Sequence, residues 1–388
     1  MERVMKPVWV LMCAIGVVGS NSLVLSPIAS DVAATFEGKA ASDVMMASAV
    51  YGGATALSAL FLAPRADQIG LKRALILALV TLVVALLGST VAPSLPVLIV
   101  AQGLAGIGAG LALPATYGLA ADVAPKGEES ATLGKVLTGW TLSLVAGVSF
   151  AAVLADVLQW RAVFGLMAAM SAGLILLVAR MQVPERDAAA AVSPFKAFRV
   201  PGLLPILLAV VAFMSAFYGL YGFLGTHMTT VLGYSTGMAG LAALTYGVGF
   251  GAVAPLDRLI DRYGAQRAAP VVFGALVLVY LLMSLLAGQG LGIFVGCLFW
   301  GAVNHVGLNI MVGQLTALSA PQRGAILGIY SATTYVAMFV GTAAYRPMFE
   351  TQGFGFIALV SAACIVPALI GALWALRRAG RLTVPAAE

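Results

Sequence analysis

The chain has 388 residues, 61% of them hydrophobic and only 9% charged, too few polar groups to clothe a folded domain in water, so lipid must be its solvent. The net charge of +6 calls for no nucleic-acid partner, because the basic residues fall where a membrane protein retains them. Three cysteines and two histidines, spread over separate apolar segments, make no ordinary zinc site or catalytic cluster, so neither a metal, another cofactor nor an enzymatic reaction is expected.

A bilayer core takes about 20 apolar residues per helix. Six such runs come first: Val8 to Ile28, Asp43 to Ala63, Arg73 to Val91, Leu95 to Ala120, Ala131 to Leu154 and Arg161 to Ala179. Six more follow: Leu203 to Gly225, Thr236 to Leu256, Arg267 to Ala287, Leu291 to Leu315, Arg323 to Tyr345 and Phe356 to Leu376. Within each run the apolar residues are continuous, whereas the strands of a membrane barrel would alternate with period two. The expected fold is therefore all-α and integral to the membrane, with twelve transmembrane helices in two pseudo-symmetric six-helix bundles. The bundles span residues 1–179 and 203–388, and the polar stretch 180–202 joins them as a cytoplasmic linker. Residues 1–29 also have the basic start of a signal peptide, but the run is long enough to span and is kept as the first helix.

An even helix count puts both termini on one side. With both placed in the cytoplasm, eighteen of the 21 basic residues lie on the inner side and only Lys39, Arg161 and Arg346 lie outside. Basic residues resist translocation, so this split sets the orientation and makes the cell's inner membrane the expected location. A single missed helix would scramble it.

After the second helix the chain reads Ala63-Pro64-Arg65-Ala66-Asp67-Gln68-Ile69-Gly70-Leu71-Lys72-Arg73. After the eighth it reads Asp257-Arg258-Leu259-Ile260-Asp261-Arg262-Tyr263-Gly264-Ala265-Gln266-Arg267. Asp67, Gly70 and Arg73 recur as Asp261, Gly264 and Arg267 at a constant offset of 194 residues, half the chain, which marks a duplicated six-helix unit. A carboxylate and cations in such a short loop can latch the inner helix ends together. Asp67 suits the positive end of a neighbouring helix, and Arg73 suits Asp122 at the inner end of the fourth.

These loops resemble the signature of the major facilitator superfamily, with Ala63 at its usual first glycine and Leu71 at a usually basic position. Within it, the first helix (Asn21 to Ile28), the fifth (Gly139-Trp140 to Ala151, then Trp160-Arg161 and Phe164) and Arg323 to Ser331 resemble the twelve-helix drug and sugar efflux permeases. In the fifth helix Ser149 stands where those exporters carry proline, and Gln102 replaces an arginine common in proton-coupled relatives. The resemblance implies a solute transporter working by alternating access, with Asp67, Gly70, Lys72, Arg73, Asp122, Asp261, Gly264 and Arg267 forming the cytoplasmic gate. It also implies a central cavity lined by the first, fourth, seventh and tenth helices.

All 15 acidic residues fall in loops or toward helix ends. Ionisable groups at mid-membrane are costly and are retained where charge is handled; here His305, deep in the tenth helix, is the candidate proton carrier. Asp31 and Asp43 near the outer mouth are alternatives. The polar and aromatic residues of the four lining helices give the candidate cavity: Asn21, Gln102, Phe217, Tyr218, Tyr221, Trp300, Asn304, His305 and Asn309. The competing role for each is a helix-to-helix contact, and Gly106 and Gly110 read as close-packing sites. A cavity so lined suits a neutral, zwitterionic or amphipathic organic solute, handled by a monomer. Efflux is the direction the resemblance favours; uptake, facilitated diffusion and a non-transporting sensor or scaffold are the alternatives.

Overall fold

The structure is a computed structural model that describes residues 2–125, 128–183, 194–256, 264–319 and 322–382. Helix α1 runs as Glu2–Leu23 and, after a 51° bend, as Leu25–Ala34. Pro27 accounts for the bend, since it has no N–H to give the Leu23 carbonyl four residues back. α2 covers Ala41–Phe61 and leads through the short helix Ala63–Ile69 into α3, Leu71–Thr90. α4 is Leu95–Val123. α5 begins as Glu129–Leu142, passes through a π-helical turn at Ser143–Gly147 and ends as Val148–Val157; α6 is Trp160–Arg180.

The second half repeats the pattern. α7 is Leu203–Thr226 with a π-helical turn at His227–Val231, α8 is Thr236–Ala252, α9 is Ala265–Leu285 and α10 is Gly290–Ala317. A 60-residue helical stretch, Arg323–Leu382, follows, and Gly353 (φ 78°) breaks it into α11 and α12. Among the described residues nine helices are long and apolar enough to cross a bilayer when this stretch counts once. The bent α1, the 17-residue α8 and the break at Gly353 bring the crossings to twelve. Several boundaries differ from the sequence expectation, two of them with a local cause. α8 stops at Ala252 before a 3-10 turn at Ala254–Leu256, where Pro255 cannot continue the ladder. α11 runs past Tyr345, its added turn held by the Arg346–Glu350 pair one turn apart.

α3 shows why lipid is required. Leu77, Val80, Val84 and Leu87 lie on its exposed stripe, while Leu75, Ala78, Leu79, Leu82, Ala85 and Leu86 are buried. Both faces are equally apolar, so burial follows position in the bundle and not residue type.

The helices of each half pack on one another, and three pairs make most of the contact between the halves: α1 with α7, α2 with α11, and α5 with α8. Exchanging the halves maps α2–α11 onto α8–α5 and returns α1–α7 to itself, as a twofold axis along the membrane normal requires. The loops keep the same symmetry. Gly70 (φ 88°, ψ 130°) and Gly264 (φ 84°, ψ 138°) precede α3 and α9 in matching backbone conformations that other residues rarely adopt. Small residues set the close contacts: Gly52 of α2 lies against Met338 and the Tyr335 carbonyl of α11, and Gly247 of α8 against the Leu144–Val145 backbone of α5. Gly106 and Gly110 likewise seat α4 on α2.

A Cβ at Gly247 would stand 3.0 Å from Leu144 C and Val145 N. Gly247→Val should therefore lower stability by about 1–3 kcal/mol, read as a lower melting temperature in detergent. Gly173→Ala, at a site with nothing within 4 Å, should leave it unchanged.

Candidate substrate cavity and gates

The second half gathers most of the expected cavity residues into an aromatic box. The Phe217 ring of α7 lies 4.8 Å from Tyr218, 5.4 Å from Tyr221, 5.5 Å from Tyr246 of α8 and 5.6 Å from Trp300 of α10. Tyr246 and Trp300 meet edge to face at 5.0 Å, a favourable geometry. The Trp300 indole donates to the Tyr280 hydroxyl of α9 at 3.0 Å, and Asn304 Nδ2 donates to the Tyr246 hydroxyl at 2.9 Å. One turn further in, His305 Nε2 and Asn309 Nδ2 are 3.0 Å apart, and the His305 ring meets Phe250 at 4.8 Å.

Asn21 and Gln102 come together elsewhere. Asn21 Nδ2 donates to Gln102 Oε1 at 3.1 Å, and Gln102 Nε2 donates to Ser89 Oγ at 3.0 Å. This chain ties α1 to α4 and α3 inside the first half, with Gln102 fully buried.

Tyrosines stand between the two clusters. Tyr51 of α2 meets Tyr335 of α11 edge on at 6.4 Å and lies beside Asn21, while Tyr218 has Tyr51, Tyr117 and Tyr330 in its surroundings. Tyr51, Tyr117, Tyr246, Tyr280 and Tyr335 were absent from the sequence-derived set. One signal was available: the pair Tyr51-Gly52 recurs as Tyr246-Gly247 at an offset of 195, one residue from the repeat offset.

The face expected to be the outer one is closed across the halves. Arg346 of α11 pairs with Asp43 at the start of α2 and, at 2.8 Å, with Glu350, which accepts from Ser42 at 2.7 Å. Asp43 also accepts from the Ala40 backbone at 2.8 Å. Ser30 of α1 bonds Thr229 of α7 at 2.5 Å, and Ser26 donates to the Tyr221 carbonyl at 2.5 Å. A cavity of about 10 Å³, lined by Ser22, Ser26, Ser48, Tyr218, Tyr221 and Thr342 among others, remains beneath this seal, room for about one water.

At the inner ends Lys72 donates to the Ala179 and Met181 carbonyls, both at 2.8 Å, and so ties α3 to the end of α6. Gly70 and Gly264 hold the turns described above, Arg73 and Arg267 are exposed, and Asp122 is half-buried. The Asp67 side chain, Asp261 and the linker residues 184–193 lie outside the described residues.

The sequence profile described as Major Facilitator Superfamily matches residues 10–342. Twelve crossings in two halves related by exchange, with a polar interior between them, define a secondary transporter, and the chain belongs to the major facilitator superfamily. It is 25% identical over 377 residues to the uncharacterized MFS-type transporter YwfA of Bacillus subtilis, covering 94% of this chain and 90% of that one. It is 23% identical over 351 residues to a probable sugar efflux transporter of Helicobacter pylori, covering 88% of each. Solved structures with the same fold include the xylose transporter XylE from E. coli in a partially occluded inward open conformation (TM-score 0.76, 14% identity, 96% of this chain and 98% of that one). The human organic anion transporter MFSD10 is another (TM-score 0.70, 15% identity, 96% and 99%).

If the Asp43–Arg346–Glu350 cluster holds the outer face shut, Arg346→Ala should expose it. In a background lacking Cys13, Cys297 and Cys364, labelling of Thr229→Cys by a membrane-impermeant maleimide should rise several-fold, and the charge exchange Asp43→Arg with Arg346→Asp should reverse much of that rise. Unchanged labelling in Arg346→Ala would show that the cluster does not hold the seal.

Proposed function

We propose that the protein exports a small uncharged solute with hydroxyl groups, such as a sugar, across the cell's inner membrane. Both termini lie in the cytoplasm, as the basic residues favour, and residues 1–179 and 203–388 rock about the linker 180–202 as a monomer. The observation that carries this reading is the chemistry of the surface between the halves. It presents tyrosines, serines and threonines, among them Tyr51, Tyr335, Ser26, Ser30 and Thr229, while every Asp, Glu, Lys and Arg lies toward a helix end or in a loop. Such a surface offers neutral hydrogen bonds and flat aromatic faces, and it would leave a strongly charged solute desolvated without a counter-charge. The sugar efflux proteins among the relatives support both the solute class and the direction.

The seal at the outer ends fits a state open toward the cytoplasm, the side from which an exporter loads. Asp67, Asp122 and Arg73, with their second-half counterparts Asp261 and Arg267, form the opposing gate that closes after loading. His305 supplies the proton coupling. It holds Asn309 within hydrogen-bond distance, and an imidazole can both give and accept a proton.

In proteoliposomes, transport driven by a pH gradient should fall toward the ungraded rate in His305→Ala; an unaltered proton dependence would remove His305 as the carrier. Asp67→Asn should slow turnover more than it weakens solute binding, and equal losses in both would count against a gate there.

A further inference from the structure

The aromatic box holds two buried polar groups that nothing among the described residues satisfies. Tyr221 is 2% exposed and its hydroxyl has no hydrogen-bond partner; Asn304 is also 2% exposed and its Oδ1 has none, although its Nδ2 is used on Tyr246. Burying such groups unpaired is unfavourable, and they are rare in native structures unless a ligand or water completes them. Both belong to one cluster: the Tyr221 ring lies 5.9 Å from Tyr246 and 6.3 Å from Trp300, and Tyr246 is the residue that Asn304 bonds.

We infer that the Tyr221 hydroxyl and the Asn304 carbonyl oxygen are the pair that reads one hydroxyl group of the transported solute. The chemistry matches term by term. A phenol donates, an amide oxygen accepts, and a solute hydroxyl does both at one atom. An amine cation would find no anion here, and a carboxylate would meet the Asn304 oxygen as a second acceptor. The Phe217 and Trp300 rings flanking the pair provide apolar faces for the C–H side of the same solute. The inference rests on the neutral-solute reading above and sharpens it, because it places selectivity in the second half. In the first half the Gln102 amide has its polar atoms committed to Asn21 and Ser89, and the one amide oxygen there without a partner among the described residues, Asn21 Oδ1, lies apart from the aromatic box.

Buried polar groups that lose their partner reject an analogue lacking it. The probes are D-xylose and its monodeoxy analogues, a neutral ring with one hydroxyl removed at a time, binding to the purified full-length protein. Wild type should bind at least one deoxy sugar about tenfold more weakly than xylose, the loss of one net hydrogen bond. Tyr221→Phe removes a hydroxyl that makes no hydrogen bond among the described residues, so it should keep the wild-type melting temperature. It should bind that deoxy sugar as wild type does, and its preference for xylose over it should fall several-fold, the Asn304 contact alone remaining. Asn304→Ser, tested in parallel, should flatten the same preference. A Tyr221→Phe protein that keeps the full wild-type preference overturns the inference and leaves the neutral-solute reading standing. A wild type that binds none of these sugars, but binds another neutral solute that Tyr221→Phe binds equally well, also overturns it. A wild type that binds only charged solutes overturns both.

Discussion

The two halves are held together where helix backbones come close enough to touch. Between lipid-facing helices there is no hydrophobic force to draw partners together, since the acyl chains are as apolar as leucine. Association then depends on shape. Gly52 gives α2 its seat on α11, and Gly247 gives α8 its seat on α5. The residue before each glycine is a tyrosine, so the same two contacts that join the halves also carry Tyr51 and Tyr246 into the centre of the molecule. Closure and the composition of the interior are consequences of one duplicated device.

Charge is distributed to suit a rocking mechanism. The Arg346 cluster, at one end of the molecule, sits near water, where an ion pair can open and be solvated instead of being stranded in lipid. The middle of the membrane keeps neutral groups. Arg346 and Asp43 lie where an ion pair can break and re-form, and hydrogen bonds and aromatic faces occupy the interior between the two ends. The π-helical turns in α5 and α7 lie on helices that cross between the halves, and such turns commonly mark functional positions in helices.

The candidate site was legible in part. The tenth-helix run Trp300, Asn304, His305 and Asn309 stood out because polar groups are conspicuous in an apolar span, and the fold does gather Trp300 and Asn304 with Phe217 and Tyr221. The same conspicuousness could not say whether an amide faces a cavity or a neighbouring helix. Asn21 and Gln102 bond each other across 81 residues, a pairing set by how α1 and α4 lie together. Tyr246 escaped notice because its helix reads as a small-residue span and a tyrosine there is compatible with packing alone. Arg346 read as a stray outer charge, since its partner Asp43 is 303 residues away.

By itself the sequence determined the solvent, the twelve crossings and the duplication. Each follows from hydropathy, charge and spacing along the chain, and a bilayer enforces them segment by segment because every backbone polar group must be satisfied within its own helix. Only the tertiary structure decided which polar side chains satisfy one another, which face is sealed, and that Tyr221 and Asn304 are left with unpaired atoms inside one aromatic box. Those outcomes depend on which helix lies against which, and helix association in lipid turns on contacts of a few ångströms between residues far apart in the chain.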